Sequence, residues 1–244
     1  MLAGAGSGKT GVITRKIAWL IHQGYAAPQI CAVTFTNKAA REMRQRVNRF
    51  MDKKTTQGLK ISTFHSLGQR ILFQESHRLG YRRGFSIMDS RDVETCLDGL
   101  AHRIDQDNDT IKLSMYQISR WKNDFIDPET ALSSADNPTL QAQARLYAEY
   151  QQQLLACNAM DFDDLIMLPV QLFRAHAEVL NQWQDRIRYL LIDEYQDTNT
   201  SQYELVKALC GVRQKLTVVG DDDQSIYAWR GARPENLQRL QHDF

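Results

Sequence analysis

The sequence predicts an α/β protein in which a parallel sheet flanked by helices is interrupted by an all-helical insertion. Two observations predict it. First, four short apolar runs, at residues 30–35 (ICAVTF), 59–63 (LKIST), 189–192 (YLLI) and 216–219 (LTVV), each end in polar or Gly-rich residues. Runs of that length and composition read as buried parallel strands. Helical patterns follow at least three of them, at 38–50, after His65 and at 201–209. Second, residues 68–183 show no strand pattern but several amphipathic ones, such as 140–157 and 164–180. Breakers at Pro128, Ser133-Ser134 and Asn137-Pro138 separate them.

The 244 residues allow one large or two modest domains with ample length for a core. No apolar run approaches the roughly 18 residues a membrane-spanning helix needs, so no membrane role is expected. The four cysteines (Cys31, Cys96, Cys157, Cys210) are far apart and form no C-x-x-C pair. That spacing argues against a disulfide framework or zinc site and for a reducing, cytoplasmic compartment. The net charge of +1 conceals a polarity. Residues 1–60 carry eleven Lys/Arg against Glu42 and Asp52, whereas residues 161–200 carry eight acids against three bases. A polyanion-facing surface beside a metal-handling acidic site fits this distribution, although 41–49 alone also reads as a solvated helix face.

The chemistry begins at Ala3-Gly4-Ala5-Gly6-Ser7-Gly8-Lys9-Thr10, a Gly-rich loop leading into a helix. Glycines let successive backbone N–H groups turn toward phosphate oxygens, and a helix N-terminus adds its positive end. Lys9 then places a charge on the terminal phosphates, and Thr10 offers a hydroxyl to Mg²⁺. The strict phosphate-loop pattern has Gly where Ala3 stands, which leaves a chance Gly-rich turn as the alternative. Far along the chain, the apolar strand 189–192 delivers Asp193 and Glu194 at its C-terminal end, the edge where open α/β sheets bind ligands. Asp193 is expected to hold Mg²⁺ directly or through water, and Glu194 to orient and deprotonate the water that attacks the γ-phosphate. Two acids that merely close a strand are the alternative. The strand at 216–219 leads to Gln224, whose amide is placed to sense that phosphate. Tyr227 and Trp229 beside it offer flat faces for unpaired bases and Arg230 offers charge, although an aromatic pair alone is more often core.

Together, AGAGSGKT (3–10), TFTNKAAREM (34–43), ISTFHSL (61–67), DFDDL (161–165), LLIDEYQDTN (190–199) and VVGDDDQSIYAWRGA (218–232) resemble the UvrD/PcrA/Rep helicases of superfamily 1. DEYQDTNTSQYELVK (193–207) resembles the Rep branch over a long stretch. The resemblance implies a P-loop NTPase lobe with a RecA-like sheet, the cofactors ATP and Mg²⁺, and 3′–5′ movement on single-stranded DNA. Replication or repair is the implied setting, with single-stranded DNA and single/double-strand junctions as partners. It implies nucleotide roles for Lys9, Thr10, Asp193, Glu194 and Gln224. It places Thr34, Phe35, Thr36, Thr63, His65, Tyr227, Trp229 and Arg230 on or near the DNA path. The lobe is expected over 1–67 and 184–244, with the helical subdomain at 68–183.

Three departures from the family pattern qualify this. The chain begins within the expected first strand, after the position of a glutamine that reads adenine. Gly11 stands where the family has an arginine that packs on adenine. The second RecA-like lobe, whose arginines complete the γ-phosphate site, is expected to be absent from this chain, which stops at Phe244 just after the third motif. The expectation is therefore a helicase front portion, or alternatively a nucleotide- and DNA-binding module without useful turnover of its own.

Overall fold

The structure, a computed structural model, describes residues 9–103, 111–221, 233 and 235–243. The chain divides into two compact units, Met1–Leu67 with Val170–Phe244, and Gly68–Pro169. The sequence expectation of 68–183 for the helical part compares with 68–169 here, because residues after Pro169 group with the sheet.

The first unit is built on four parallel strands: β1 (Ile30–Thr34), β2 (Lys60–Thr63), β5 (Tyr189–Ile192) and β6 (Leu216–Val218). Their order is β2-β1-β5-β6. The two central strands, β1 and β5, are buried at every position, which is why their sequences are continuously apolar rather than alternating. Ile30 and Ala32 pack in one core with Leu191, α1 (Lys9–His22) and α2 (Asn37–Phe50). The intervening Cys31, Val33, Leu190 and Ile192 are equally buried, and strand alternation assigns them to the opposite face. Helix α10 (Thr200–Cys210) meets β5 and α9 (Ala177–Arg186).

The spacing of apolar residues explains how the helices sit. Ile13, Ile17 and Leu20 recur at helical intervals along α1 and are each fully buried, worth roughly 1.5–3 kcal/mol apiece. In α2 only Ala40, Met43 and Val47 are buried, so Lys38, Arg41, Arg44, Arg46 and Arg49 remain in solvent. Thr36 caps α2 by accepting from the Ala39 N–H at 3.1 Å. Asn199 and Gln202 form a reciprocal capping box on α10.

The second unit contains α4 (Ser90–Arg103), α5 (Ile111–Asn123), α6 (Pro128–Ser133) and α7 (Pro138–Ala156). Pro128 and Pro138 do not lie between elements; each opens a helix, capped by Asp127 and Asn137, because the first turn needs no N–H from them. Trp121 stacks on Tyr147 at 5.8 Å in the core of this unit. The expectation that 68–183 holds no strand is corrected. β3 (Ser86–Ile87) pairs in parallel with β4 (Ala159–Met160), and two residues each are too few to show alternation. The pattern at 164–180 is likewise two helices, α8 (Asp164–Ala175) and α9, broken at His176.

Two contacts in this unit have physical consequences. Pro169 lies inside α8 and has no N–H for the Leu165 carbonyl. Gly68, in α3 (Phe64–Glu75), sits against that carbonyl so closely that a Cβ would lie 1.7 Å from its oxygen. The second contact is ionic. Lys122 is 0% exposed, and its Nζ donates to Asp161 Oδ2 at 2.6 Å and Asp164 Oδ1 at 2.9 Å. Tyr150 adds its hydroxyl to Asp161 Oδ2 at 2.9 Å. Burial opposes a charged lysine, yet Asp161 and then Asp164 hold Lys122 above its ordinary range.

Candidate nucleotide site and nucleic-acid face

The sheet brings Thr10 and Asp193 together across 183 positions, with Thr10 Oγ1 donating to Asp193 Oδ2 at 3.2 Å. Thr10 stands in the first turn of α1, and Asp193 directly follows β5. The Asp193 N–H donates to the Val33 carbonyl at 3.0 Å, so the carboxylate is fixed by the β1–β5 ladder rather than by a loop. Only 2% of Asp193 is exposed. A hydroxyl and a carboxylate in direct contact are the hard-oxygen pair that suits Mg²⁺, which keeps other positions for water and phosphate.

Glu194 is next, and its backbone is left-handed at φ 54°, ψ 45°. For a residue other than glycine this costs of order 1–3 kcal/mol and is characteristic of functional turns. Its carboxylate accepts from Gln196 Nε2 at 2.9 Å. Asp197, 8% exposed, is pushed up to about 6 by burial and then by the charge of Glu194. The end of β6 closes against this turn: the Tyr195 N–H donates to the Val219 carbonyl at 3.0 Å, and the Asp221 N–H to Gln196 Oε1 at 3.0 Å. Gln196 escaped the sequence reading, since nothing in DEYQD distinguishes a bridging amide from a surface one.

The same sheet edge carries the residues expected on a DNA path. Thr34 and Thr63 are register partners at the ends of β1 and β2, and both are buried. Phe35 meets Phe64 edge-on at 5.5 Å. Thr36 is exposed as the cap of α2, and His65 is half-buried in α3. Thr63 Oγ1 accepts from the Ser66 N–H at 3.2 Å, which anchors the first turn of α3. Beside them lies a groove of about 450 Å³ lined by Asn37, Arg41, Arg44, Ser62 and Ser66. Arg44 is held there by donating to the Ile61 carbonyl at 2.8 Å. The basic run of α2 was legible in the sequence, but that two of its arginines share a groove with two serines was not. Ala3, Gly4, Ala5, Gly6, Ser7, Gly8, the Lys9 side chain, Gln224, Tyr227, Trp229 and Arg230 lie outside the described residues.

A strand-borne Asp–Glu pair is thus bonded to the first turn of a helix at the edge of a parallel sheet. The profile of the UvrD/REP helicase N-terminal domain matches residues 1–244. The chain belongs to this family. It is 53% identical over 246 residues to the protein named ATP-dependent DNA helicase Rep from Escherichia coli (strain K12), with 100% of this chain and 37% of that protein covered. It is 45% identical to Rep of Buchnera aphidicola subsp. Schizaphis graminum, again over 100% of this chain and 37% of the relative. It is 40% identical to the protein named ATP-dependent DNA helicase PcrA from Leuconostoc citreum, over 100% of this chain and 33% of that protein. The chain thus spans about a third of the length of these curated relatives. In this UvrD/REP N-terminal domain the sheet is the RecA-like lobe, and among the described residues no helix is long and apolar enough to cross a membrane.

Proposed function

We propose that this chain is the ATP- and DNA-binding front portion of an ATP-dependent DNA helicase that moves 3′ to 5′ on single-stranded DNA. The observation that carries the proposal is the Thr10–Asp193 hydrogen bond, with Glu194 adjoining it at the C-terminal edge of a parallel sheet. Lys9, with the backbone of Ala3 to Gly8, grips the phosphates. Thr10 and Asp193 hold Mg²⁺, which when bound neutralises phosphate charge. Glu194 orients the attacking water and accepts its proton, and Gln224 senses the γ-phosphate. Thr34, Phe35, Thr36, Thr63 and His65, together with Tyr227, Trp229 and Arg230, lie on or near the single-stranded DNA path, where the exposed groups among them meet backbone and stacked bases. The Arg41–Arg44 groove receives a phosphodiester, since two guanidiniums beside two hydroxyls match a phosphate's acceptors. The helical residues from Gly68 onward are read as an insertion in the lobe, near the single/double-strand junction.

Turnover in the complete polypeptide with saturating single-stranded DNA tests the enzyme reading. Lys9→Ala and Glu194→Gln are each expected to lower it at least about a hundredfold. Parental turnover in Glu194→Gln would overturn the reading. A duplex with a 3′ single-stranded tail is expected to unwind and one with a 5′ tail not to; the reverse preference would overturn the polarity.

A second reading concerns these 244 residues by themselves. Because they match only about a third of the relatives' length, we propose that alone they bind Mg²⁺–nucleotide and single-stranded DNA without useful turnover. In related phosphoryl transfer an arginine from outside the phosphate loop contributes about 10³–10⁵ in rate. Robust hydrolysis by the isolated chain, abolished by Glu194→Gln, would overturn this.

A further inference from the structure

We propose that Gln196 is the positioning residue for Glu194, and that it holds the carboxylate in place from the main chain of Asp221. The inference rests on the reading of Glu194 as the group that handles the attacking water. Gln196 is 1% exposed and uses both ends of its amide. Nε2 donates to Glu194 Oε2 at 2.9 Å, and Oε1 accepts from the Asp221 N–H at 3.0 Å. Among the described residues it is the side chain that bonds the Glu194 carboxylate.

The chemistry of the bridge is specific. It needs a donor toward a carboxylate and an acceptor toward an amide at opposite sides of one planar group. Glutamine has both, an ionised glutamate lacks the donor, and leucine of similar size lacks both. The surroundings are shaped to admit it. A Cβ on Gly220 would lie 2.7 Å from Gln196 Oε1, so the glycine leaves the space in which the amide sits. The neighbouring bond from the Tyr195 N–H to the Val219 carbonyl, 3.0 Å, keeps the two strand ends in register. The left-handed backbone at Glu194 then aims its side chain back at residue 196.

One consequence concerns communication. Asp221 is joined by covalent bonds directly to the segment that carries Gln224. The buried Gln196 amide is the hydrogen-bonded connection between the Asp221 N–H and the Glu194 carboxylate. Gln196 thereby links the position of the group that handles water to the position of the chain leading to the γ-phosphate sensor.

Two variants test this. Gln196→Glu keeps the acceptor for Asp221 but loses the donor to Glu194; Gln196→Leu loses both. In the complete polypeptide with saturating single-stranded DNA, Gln196→Glu is expected to lower kcat for ATP by about tenfold to a hundredfold, with KM changed less than about threefold. Gln196→Leu is expected to fall at least as far. Amide hydrogen exchange on the 244-residue chain reads the other end of the bridge. The Asp221 amide is expected to be protected in the parent and in Gln196→Glu, and to exchange faster in Gln196→Leu. Parental kcat in Gln196→Glu overturns the proposal, since a residue needed only to tie Asp221 would be rescued by that substitution. Equal exchange at Asp221 in the parent and Gln196→Leu also overturns it. A parent without DNA-stimulated turnover fails the enzyme reading itself, an outcome distinct from an active parent with an equally active Gln196→Glu.

Discussion

The Thr10 hydroxyl and the Asp193 carboxylate, 3.2 Å apart, occupy the point where the first turn of α1 meets the end of β5. If both are Mg²⁺ ligands, the metal's contribution to nucleotide binding depends on each. In calorimetry on the chain, chelating Mg²⁺ is expected to weaken ATP binding at least about tenfold, about 1.4 kcal/mol or more. Thr10→Ala and Asp193→Asn are expected to bind ATP weakly with or without the metal. A full Mg²⁺ effect in Asp193→Asn would remove that carboxylate from the metal site.

The Arg41–Arg44 groove predicts a salt signature. Each phosphate contact to single-stranded DNA steepens the dependence of log affinity on log salt by about 0.7. Arg41→Ala and Arg44→Ala are each expected to weaken binding of oligo-dT and flatten that slope by about this amount. An unchanged slope in both variants would return the run on α2 to a solvated helix face.

Gly68→Ala is expected to destabilise the protein by about 3–5 kcal/mol, measured by urea denaturation, because the new methyl must displace the Leu165 backbone. Backbone cannot swing aside as a flexible side chain can. A loss below about 1 kcal/mol would mean that α3 and α8 separate more easily than their contact suggests.

Removing one member of the buried ion cluster leaves the others uncompensated. Lys122→Met is expected to cost about 3–5 kcal/mol, also by urea denaturation. Adding Asp161→Asn and Asp164→Asn is expected to recover a large part of that loss. A triple variant no better than Lys122→Met alone would show that the lysine matters for its packing.

The same cluster, with the neighbouring Asp163 that accepts from Asn123 Nδ2 at 2.9 Å, sets a pH dependence. Asp163 is pushed up to about 6 and Asp164 to about 7, in both cases by burial first and the charge of Asp161 next. Folded carboxyls with raised values bind more protons than unfolded ones between about pH 4 and 7, so stability falls as pH rises through that window. Asp161 runs the other way. Burial would raise it, but Lys122 prevails and holds it below 3.8, so its contribution is lost in acid. The urea midpoint is therefore expected to rise from pH 8 to about pH 5 and to drop again below about pH 4. A midpoint that is flat or rising between pH 5 and 8 would contradict the assignment.

What the sequence made legible follows from what produces a pattern. The β1 and β5 runs were visible because strands buried on both faces must be apolar throughout, and α2 because Ala40, Met43 and Val47 recur at helical spacing. The Asp193–Glu194 pair was visible as two charges ending an apolar strand. The β3–β4 pair left no periodic trace in two residues each. The break at His176 was hidden because apolar positions of α8 and α9 continue in phase across it. Lys122 falls on the buried stripe of α5 with Ile118 and Trp121, where the pattern calls for an apolar residue, and only the partners supplied by 161–164 explain a lysine there. Gln196 is the same case at the site itself, a polar residue whose role depends on what β6 brings beside it.

The strand order has a consequence in time. β1 is paired on one side with β2 but on the other with β5, and the register joins Ile30 to Tyr189. During synthesis at about 5–20 residues per second, an apolar strand waits about ten to thirty seconds for that partner to leave the ribosome. Throughout the wait its edge offers unpaired N–H and C=O groups to any extended chain nearby. Early in its life the chain is therefore a candidate for chaperone capture, at the segment that later lies deepest in the lobe.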